Sequence, residues 1–138
     1  MKEVTINIRK QNSVLEFLGM HDFEVEDLGN HVYRVARGDE LPVFLHLDDS
    51  SGLYFEVDLG NVSTVESKEL YFKLLDLNTE IQPVSFGINT TNPDDPRLVL
   101  VESREVGDLS DHEFLSVFDA LELAVDKAEN FLASVIKG

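Results

Sequence analysis

The sequence predicts an α+β fold in which an antiparallel sheet of five or six strands packs against three helices, in the order α-β-β-β-α-β-β-α. Apolar residues alternate with polar ones, as in half-buried strands, through most of residues 23–59 and again over 84–88. Three other stretches show helical spacing behind a Ser-x-x-Glu pair, starting at Ser13, Ser63 and Ser110. Short turns between successive strands favour antiparallel pairing with one face of the sheet in water.

The bulk composition suits a globular protein. The chain has 138 residues, of which 43% are hydrophobic and 28% charged, and we expect a single domain over residues 1–138. The absence of cysteine excludes disulfides, thiolate nucleophiles and cysteine-ligated zinc. No apolar run reaches 18 residues and no signal-peptide pattern is present. A cytoplasmic protein without direct membrane insertion is therefore expected.

Charge is the most unusual bulk feature. With 27 acidic and 11 basic residues, the formal net charge is −16. Nucleic acids and anionic membrane surfaces would be repelled, so neither is an expected partner. Between His21 and Gly60 there are ten acidic residues but only two Arg or Lys residues, Arg34 and Arg37. The acidic residues form either a solvated strand face that keeps the protein soluble or a surface that attracts a basic partner.

The first elements are a short alternating segment and a helix. Residues 1–10 alternate apolar and polar side chains, which suits an edge strand or an ordered arm. Ser13 then predicts a helix start, since Glu16 follows at the capping-box spacing. We expect this helix to end by His21.

Alternation then predicts a run of strands up to Leu59. The first, Phe23 to Asp27, ends at a Gly29-Asn30 turn. Two later strands of this run are expected over residues 43–47 and 53–59. Their inward-facing side chains are expected to be Val43, Leu45 and Leu47 in the first and Leu53, Phe55, Val57 and Leu59 in the second. Phe44 and Tyr54 project from the opposite face.

A central helix is predicted from the Ser63 and Glu66 pair. Its apolar stripe consists of Leu70, Leu74, Leu77 and Ile81, and its apolar surface is widened by Tyr71, Phe72 and Leu75. A helix that is apolar around much of its circumference must be covered on more than one side, either by its own domain or by a second subunit. Pro83 cannot continue the helix, and a strand follows over residues 84–88.

The last part of the chain is predicted as a hairpin and the longest helix. Residues 98–101 return as an apolar strand after a loop with two prolines. Ser110 and Glu113 then open the helix. Its apolar positions recur every three or four residues at Phe114, Val117, Leu121, Ala124, Ala128, Phe131 and Val135, with Phe118, Val125 and Leu132 beside them.

No residue pattern carries catalytic, metal-binding or cofactor chemistry. The four histidines lack metal-ligand spacing, and the acidic turns at 48–52 and 92–96 lack the ligand order of a calcium loop. No nucleophile elbow and no phosphate-cradling glycine loop occur. We expect a protein that is not an enzyme and has no cofactor.

Two groups of residues are candidates for contact with another protein. Tyr71, Phe72 and Leu75 give the central helix more apolar width than its own stripe requires. Phe44 and Tyr54 could form part of a second patch on the sheet face opposite the core, although an isolated surface aromatic is usually incidental.

Three segments resemble a known bacterial family. They are RGDELPVFLHLDDSSGLYFEVDL (37–59), LYFKLLDLNTEIQPVSFGI (70–88) and LELAVDKAENFLASVI (121–136). Together they resemble the YjfI-type domain of unknown function, over about residues 30–136. That family is similar in plan to the YbjN-like proteins and to class I type III secretion chaperones, although a strand over residues 23–27 departs from the simplest chaperone plan.

The resemblance implies a small acidic protein that is often dimeric and binds other proteins. YjfI-type proteins are commonly encoded beside membrane-stress proteins, which implies a role in envelope maintenance. The main hypothesis is a non-enzymatic bacterial cytosolic adaptor that binds another protein and forms a homodimer. The alternatives are a type III secretion chaperone that holds an effector and a sensor of a small ligand.

Overall fold

A computed structural model describes residues 11–47, 52–105 and 110–137. Within them the chain forms three helices and six strands in the order α-β-β-β-β-α-β-β-α. The elements are α1 (Gln11–Met20), β1 (Glu24–Gly29), β2 (Val32–Ala36), β3 (Val43–Leu47), β4 (Gly52–Asn61), α2 (Lys68–Leu77), β5 (Ser85–Asn89), β6 (Arg97–Glu105) and α3 (Asp111–Lys137). The predicted α+β class, with three helices and an antiparallel sheet of five or six strands, is confirmed, and the sheet has six strands.

The strands form one antiparallel sheet in the order β1-β2-β3-β4-β6-β5. Four strands precede α2 where the predicted order has three, because β1 pairs with β2 along its whole length. The turn between them contains Gly29, Asn30 and His31, all with positive φ. Glycine and asparagine tolerate this left-handed conformation, which explains why the Gly-Asn pair ends the strand.

One face of the sheet carries all three helices. The buried residues of α1, α2 and α3 join the inward residues of the strands in a single hydrophobic cluster. The predicted inward set is buried there, except that Leu59 is only partly buried beside a register shift between Asp58 and Gly60. At its centre the rings of Phe55, Phe114 and Phe118 contact one another, with centroids 5.5 to 5.9 Å apart. The opposite face of the sheet bears no helix of the described residues.

The start of α3 is confirmed. The Glu113 amide donates to Ser110 Oγ at 3.1 Å, and Ser110 Oγ in turn donates to Glu113 Oε1 at 3.1 Å. These bonds satisfy backbone and side-chain groups that would otherwise be unpaired at the first turn of the helix.

The two other predicted helix starts are wrong. Helix α2 begins after Ser67, whose Oγ accepts the Leu70 amide at 3.0 Å, while the backbone amide of Ser63 is bonded to Asn61 in the preceding turn. Ser13 lies inside α1, which already includes Gln11. The edge strand or arm predicted over residues 1–10 lies outside the described residues.

Candidate protein-binding surface

Helix α2 is fixed to the domain along one side and at both ends. Leu70 and Leu74 are buried in the core. Ser67 caps the first turn, and just beyond the last turn Asn78 Oδ1 accepts the backbone amide of Phe86 in β5 at 2.7 Å. These contacts hold the orientation of α2 over the sheet, and therefore also that of its outward side.

The outward side of α2 exposes two large apolar residues. Phe72 is 72% exposed and Leu75 is 68% exposed. Residues three positions apart lie on neighbouring parts of a helix surface, so the two side chains form one apolar patch. Of the three predicted interface residues on this helix, the structure thus brings two together in solvent.

Tyr71, the third of these residues, is held differently. It is half-buried against the core, and its hydroxyl donates to Glu66 Oε2 at 3.0 Å. Burial and the neighbouring carboxylate raise the pKa of the Tyr71 phenol. Tyr71 therefore supports the start of α2, and Phe72 and Leu75 are the apolar groups available to a partner.

Other apolar residues are also exposed on the helix-covered side, among them Ile88 and Leu123. Ile88, opposite Leu98 in the β5–β6 pair, is 43% exposed. Leu123 of α3 is 67% exposed and borders a groove that also includes Ile81 and Ala124. Neither was singled out from sequence, because alternation and helical spacing place a residue on a face without saying whether a neighbour covers it.

The second predicted patch, Phe44 with Tyr54, lies on the helix-free face but is set among polar groups. Phe44 is half-buried between its cross-strand neighbours Arg34 and Glu56. The Tyr54 hydroxyl donates to Glu56 Oε1 at 2.9 Å. Burial and this carboxylate raise the pKa of Tyr54 to about 12. The structure therefore places both residues on one face, within a hydrogen-bonded surface.

Ion pairs continue this polar surface across the sheet. Arg97 Nε lies 3.1 Å from Asp58 Oδ2, and Arg97 Nη1 lies 3.1 Å from Asp95 Oδ1. Asn61 also donates to Asp95, and together with Arg97 it lowers the pKa of that carboxyl. On the same face, Asn89 donates to both carboxylate oxygens of Glu56.

A separate acidic area lies where the β2–β3 loop meets α3. Arg37 donates to Glu122 at 2.7 Å and to Asp119 at 2.9 Å, and its guanidinium lies 4.8 Å from the Phe23 ring centroid. The pKa of Glu40 is raised, chiefly by the charge of Glu122. The ion pairs of Arg37 fix the loop to α3, and the other carboxylates in this area give the surface a negative potential.

Glu102 is a buried carboxylate that was not singled out from sequence. Its side chain is 2% exposed; Oε1 accepts Arg104 Nη2 at 3.0 Å, and Oε2 has no hydrogen-bond partner. Burial raises the pKa of Glu102. The strand period could have found it, because Glu102 alternates with Leu98 and Leu100 on the inward side.

The described residues contain no cluster of three or more His, Asp or Glu side chains that could hold a metal ion. His31, in the turn before β2, and His46, in β3, are not part of any such group. No helix in the described ranges is long and apolar enough to cross a membrane.

Comparison with solved structures shows where this fold recurs. The chain is similar to a chain of the heterodimeric ExoU–SpcU complex of the Pseudomonas aeruginosa type III secretion system, with 18% identity, a TM-score of 0.64, and coverage of 80% of this chain and 89% of that one. It is also similar to YbjN from E. coli, described as a putative transcription regulator, with 14% identity, a TM-score of 0.63, and coverage of 95% of this chain and 91% of that one.

A third similar structure is the Yersinia pestis type III secretion chaperone SycH in complex with a fragment of YscM2. Here the identity is 20%, the TM-score is 0.58, and 90% of this chain and 98% of that chain are covered. At these identities the likeness shows the fold, including the expected similarity to YbjN and to type III secretion chaperones.

Sequence comparison gives the family. No curated protein sequence matches the chain significantly. The model of the Tir chaperone protein (CesT) family matches residues 12–132, which include β1, so the strand that departs from the simplest chaperone plan does not separate the chain from these proteins. The YjfI-type resemblance is not confirmed. The chain belongs to the Tir chaperone protein (CesT) family.

Proposed function

We propose that this protein is a chaperone of the type III secretion kind, which binds a segment of another protein in the bacterial cytoplasm and catalyses no reaction. The observation that carries the proposal is the CesT family match over residues 12–132. Two of the similar structures are complexes that contain a second protein, ExoU–SpcU and SycH with YscM2. The main sequence-based hypothesis of a general adaptor thus gives way to its chaperone alternative.

The surface proposed for protein contact is the α2 patch, defined as Phe72 and Leu75. Both side chains are mostly in solvent, while the same helix is anchored by Leu70 and Leu74. Large apolar side chains held on a rigid element suit a binding site, because little conformational freedom is lost when a partner covers them. The partner is either a second copy of the chain, as in the expected homodimer, or the bound client.

The acidic surface supports a client with basic segments. The net charge is −16, and the carboxylates around Glu40 and α3 are only partly neutralised by Arg37. Complementary charge increases the rate of encounter more than the final affinity. Client binding should therefore slow at high salt, while the apolar contact persists.

A second candidate function is a regulatory adaptor of the YjfI and YbjN kind. The observation that favours it is the YbjN likeness, which covers 95% of this chain. Under this reading the α2 patch binds a regulatory protein that is not exported. The ligand-sensor alternative has no specific support among the described residues.

The test is co-purification from the native cytoplasm, with the native chain compared with Phe72→Asp and Leu75→Asp. A stoichiometric partner should be lost or bound at least about tenfold more weakly with either variant, as expected for a contact residue near the centre of an interface. Leu123→Asp is the matched control, because Leu123 has a similar exposed fraction on another helix.

A secreted partner that precipitates without the protein supports the chaperone, and a regulatory partner that is stable alone supports the adaptor. If no protein co-purifies with the native chain, or if both α2 variants retain their partner fully, the proposed function or its surface is wrong.

A further inference from the structure

The two edges of the described sheet differ in what limits the addition of another strand. At the β1 edge, Glu24, Glu26 and Asp27 are exposed. Charged side chains on an edge strand oppose pairing with a second sheet. The β5 edge consists of SFGIN, which carries no charge. Charge therefore does not oppose the pairing of another strand with β5.

The side chain of Asn78 accepts a hydrogen bond from one backbone amide of this edge, that of Phe86. Its Oδ1 accepts the Phe86 amide at 2.7 Å, so this amide points away from β6. In an antiparallel ladder, residues two apart point their backbone groups the same way. The amide and carbonyl of Ile88 therefore also point outward, on the unpaired side of β5.

Asn78 is itself fixed by α2. It is the C-cap residue, and its own backbone amide bonds to the Leu74 and Asp76 carbonyls. Its side chain thus ties the end of α2 to the edge strand across eight positions of sequence. The same amide oxygen orients the helix that bears Phe72 and Leu75.

We infer that Asn78 closes the β5 edge to strand addition, so that contacts at this end of the molecule are made by the side chains of the α2 patch and not by an extended sheet. The closure of the β5 edge is argued from the hydrogen bond alone, while the role of the α2 patch rests on the proposed function. Asn78 is a positioning residue, since it acts through the Phe86 amide and through the orientation of α2.

The test compares Asn78→Ala with Asn78→Asp in the full chain. Alanine removes the acceptor, whereas aspartate retains an oxygen at the same position. Hydrogen exchange at the Phe86 amide should become about fivefold to tenfold faster with alanine and stay near native with aspartate. Thr79→Ala is the matched control, because it removes the hydroxyl that donates to Asp76 O in the same turn and leaves β5 untouched.

The self-association of the variants provides a second measurement. If Asn78 only stabilised the end of α2, its replacement would not increase the size of the assemblies. Asn78→Ala should form assemblies larger than those of the native chain as concentration rises, measured by sedimentation velocity. Adding Ile88→Pro should suppress them, since proline removes the outward amide of Ile88 that a new strand would need.

Unchanged Phe86 exchange in Asn78→Ala would overturn the inference. So would native-sized assemblies, or large assemblies that persist with Ile88→Pro. These results do not depend on a client, whereas the Phe72→Asp test does. Failure of one is therefore distinguishable from failure of the other.

Discussion

The outward side of α2 and the helix-free face of the sheet both display aromatic side chains, yet we propose only the first as a binding surface. Phe72 and Leu75 are mostly in solvent and form no hydrogen bonds through their side chains. Tyr54 bonds to Glu56, and Phe44 is half-buried beside the same carboxylate. A predicted patch is therefore a binding candidate only where its apolar groups lack neighbours within the molecule.

The largest expected effect is a difference in the free energy of unfolding between variants of two neighbouring residues, Leu74 and Leu75, which lie on opposite sides of α2. Leu74→Ala should lower the free energy of unfolding by about 2–5 kcal/mol, because the buried side chain leaves a cavity. Leu75→Ala should change it by less than about 0.5 kcal/mol, since this residue lies in solvent. Urea denaturation of both variants checks the contrast. Equal losses would mean that the outward side of α2 is packed within the domain.

A smaller effect is expected from the buried carboxylate of β6. Glu102→Gln should raise the free energy of unfolding at neutral pH by about 1 kcal/mol, because it removes a charge from an apolar site while an oxygen remains for Arg104.

The pH dependence of this variant has a definite sign. The pKa of Glu102 is raised in the folded state, so native stability increases as pH falls through that value. The advantage of Glu102→Gln should thus shrink on acidification and disappear below the ordinary carboxyl pKa. Urea titrations at a series of pH values measure it, and an advantage that is constant with pH would show that the carboxylate is not desolvated.

The ion pairs of the helix-free face should contribute less. Arg97→Ala removes contacts with Asp58 and Asp95, but these side chains are about one-third to one-half exposed and therefore screened. The free energy of unfolding should fall only slightly at low salt and by less at high salt. A loss that is independent of salt would indicate packing by the arginine stem.

The last effect is confined to alkaline pH and concerns Tyr54. Its pKa lies near 12 in the folded protein against an ordinary value of 10.0, so its contribution to stability is present below pH 10 and is lost as the pH rises towards 12. Tyr54→Phe should therefore reduce the alkaline loss of stability. Spectrophotometric titration should show one fewer late-titrating tyrosine, and a Tyr54 that ionises near pH 10 would place its hydroxyl in open solvent.

Most of the fold could be predicted because the local patterns agree with the packing. Alternation located the first five strands, an apolar run located part of β6, and the Ser110–Glu113 pair located the start of α3. The start of α2 was misplaced because two serines four positions apart, Ser63 and Ser67, suit the same apolar stripe. The chain forms an Asn61-centred turn at Ser63, which leaves Ser67 as the cap.

The candidate surface could be predicted only in part. Helical spacing grouped Tyr71, Phe72 and Leu75, but it could not show that Tyr71 packs against the core and donates a hydrogen bond to Glu66. It also gave no sign of the bond from Phe86 to Asn78, which depends on how the helix meets the edge strand. Side-chain partners distant in sequence are set by tertiary packing, which single-sequence patterns do not contain.

The most direct test of the account is site-specific photo-crosslinking in the native cell, with a photoreactive phenylalanine analogue placed at Phe72 in one variant and at Tyr54 in another. The account predicts that position 72 crosslinks to a protein partner, whether a client or a second copy, and that position 54 does not. Crosslinking at 54 with none at 72 would contradict it, because the binding surface would then be the helix-free face of the sheet.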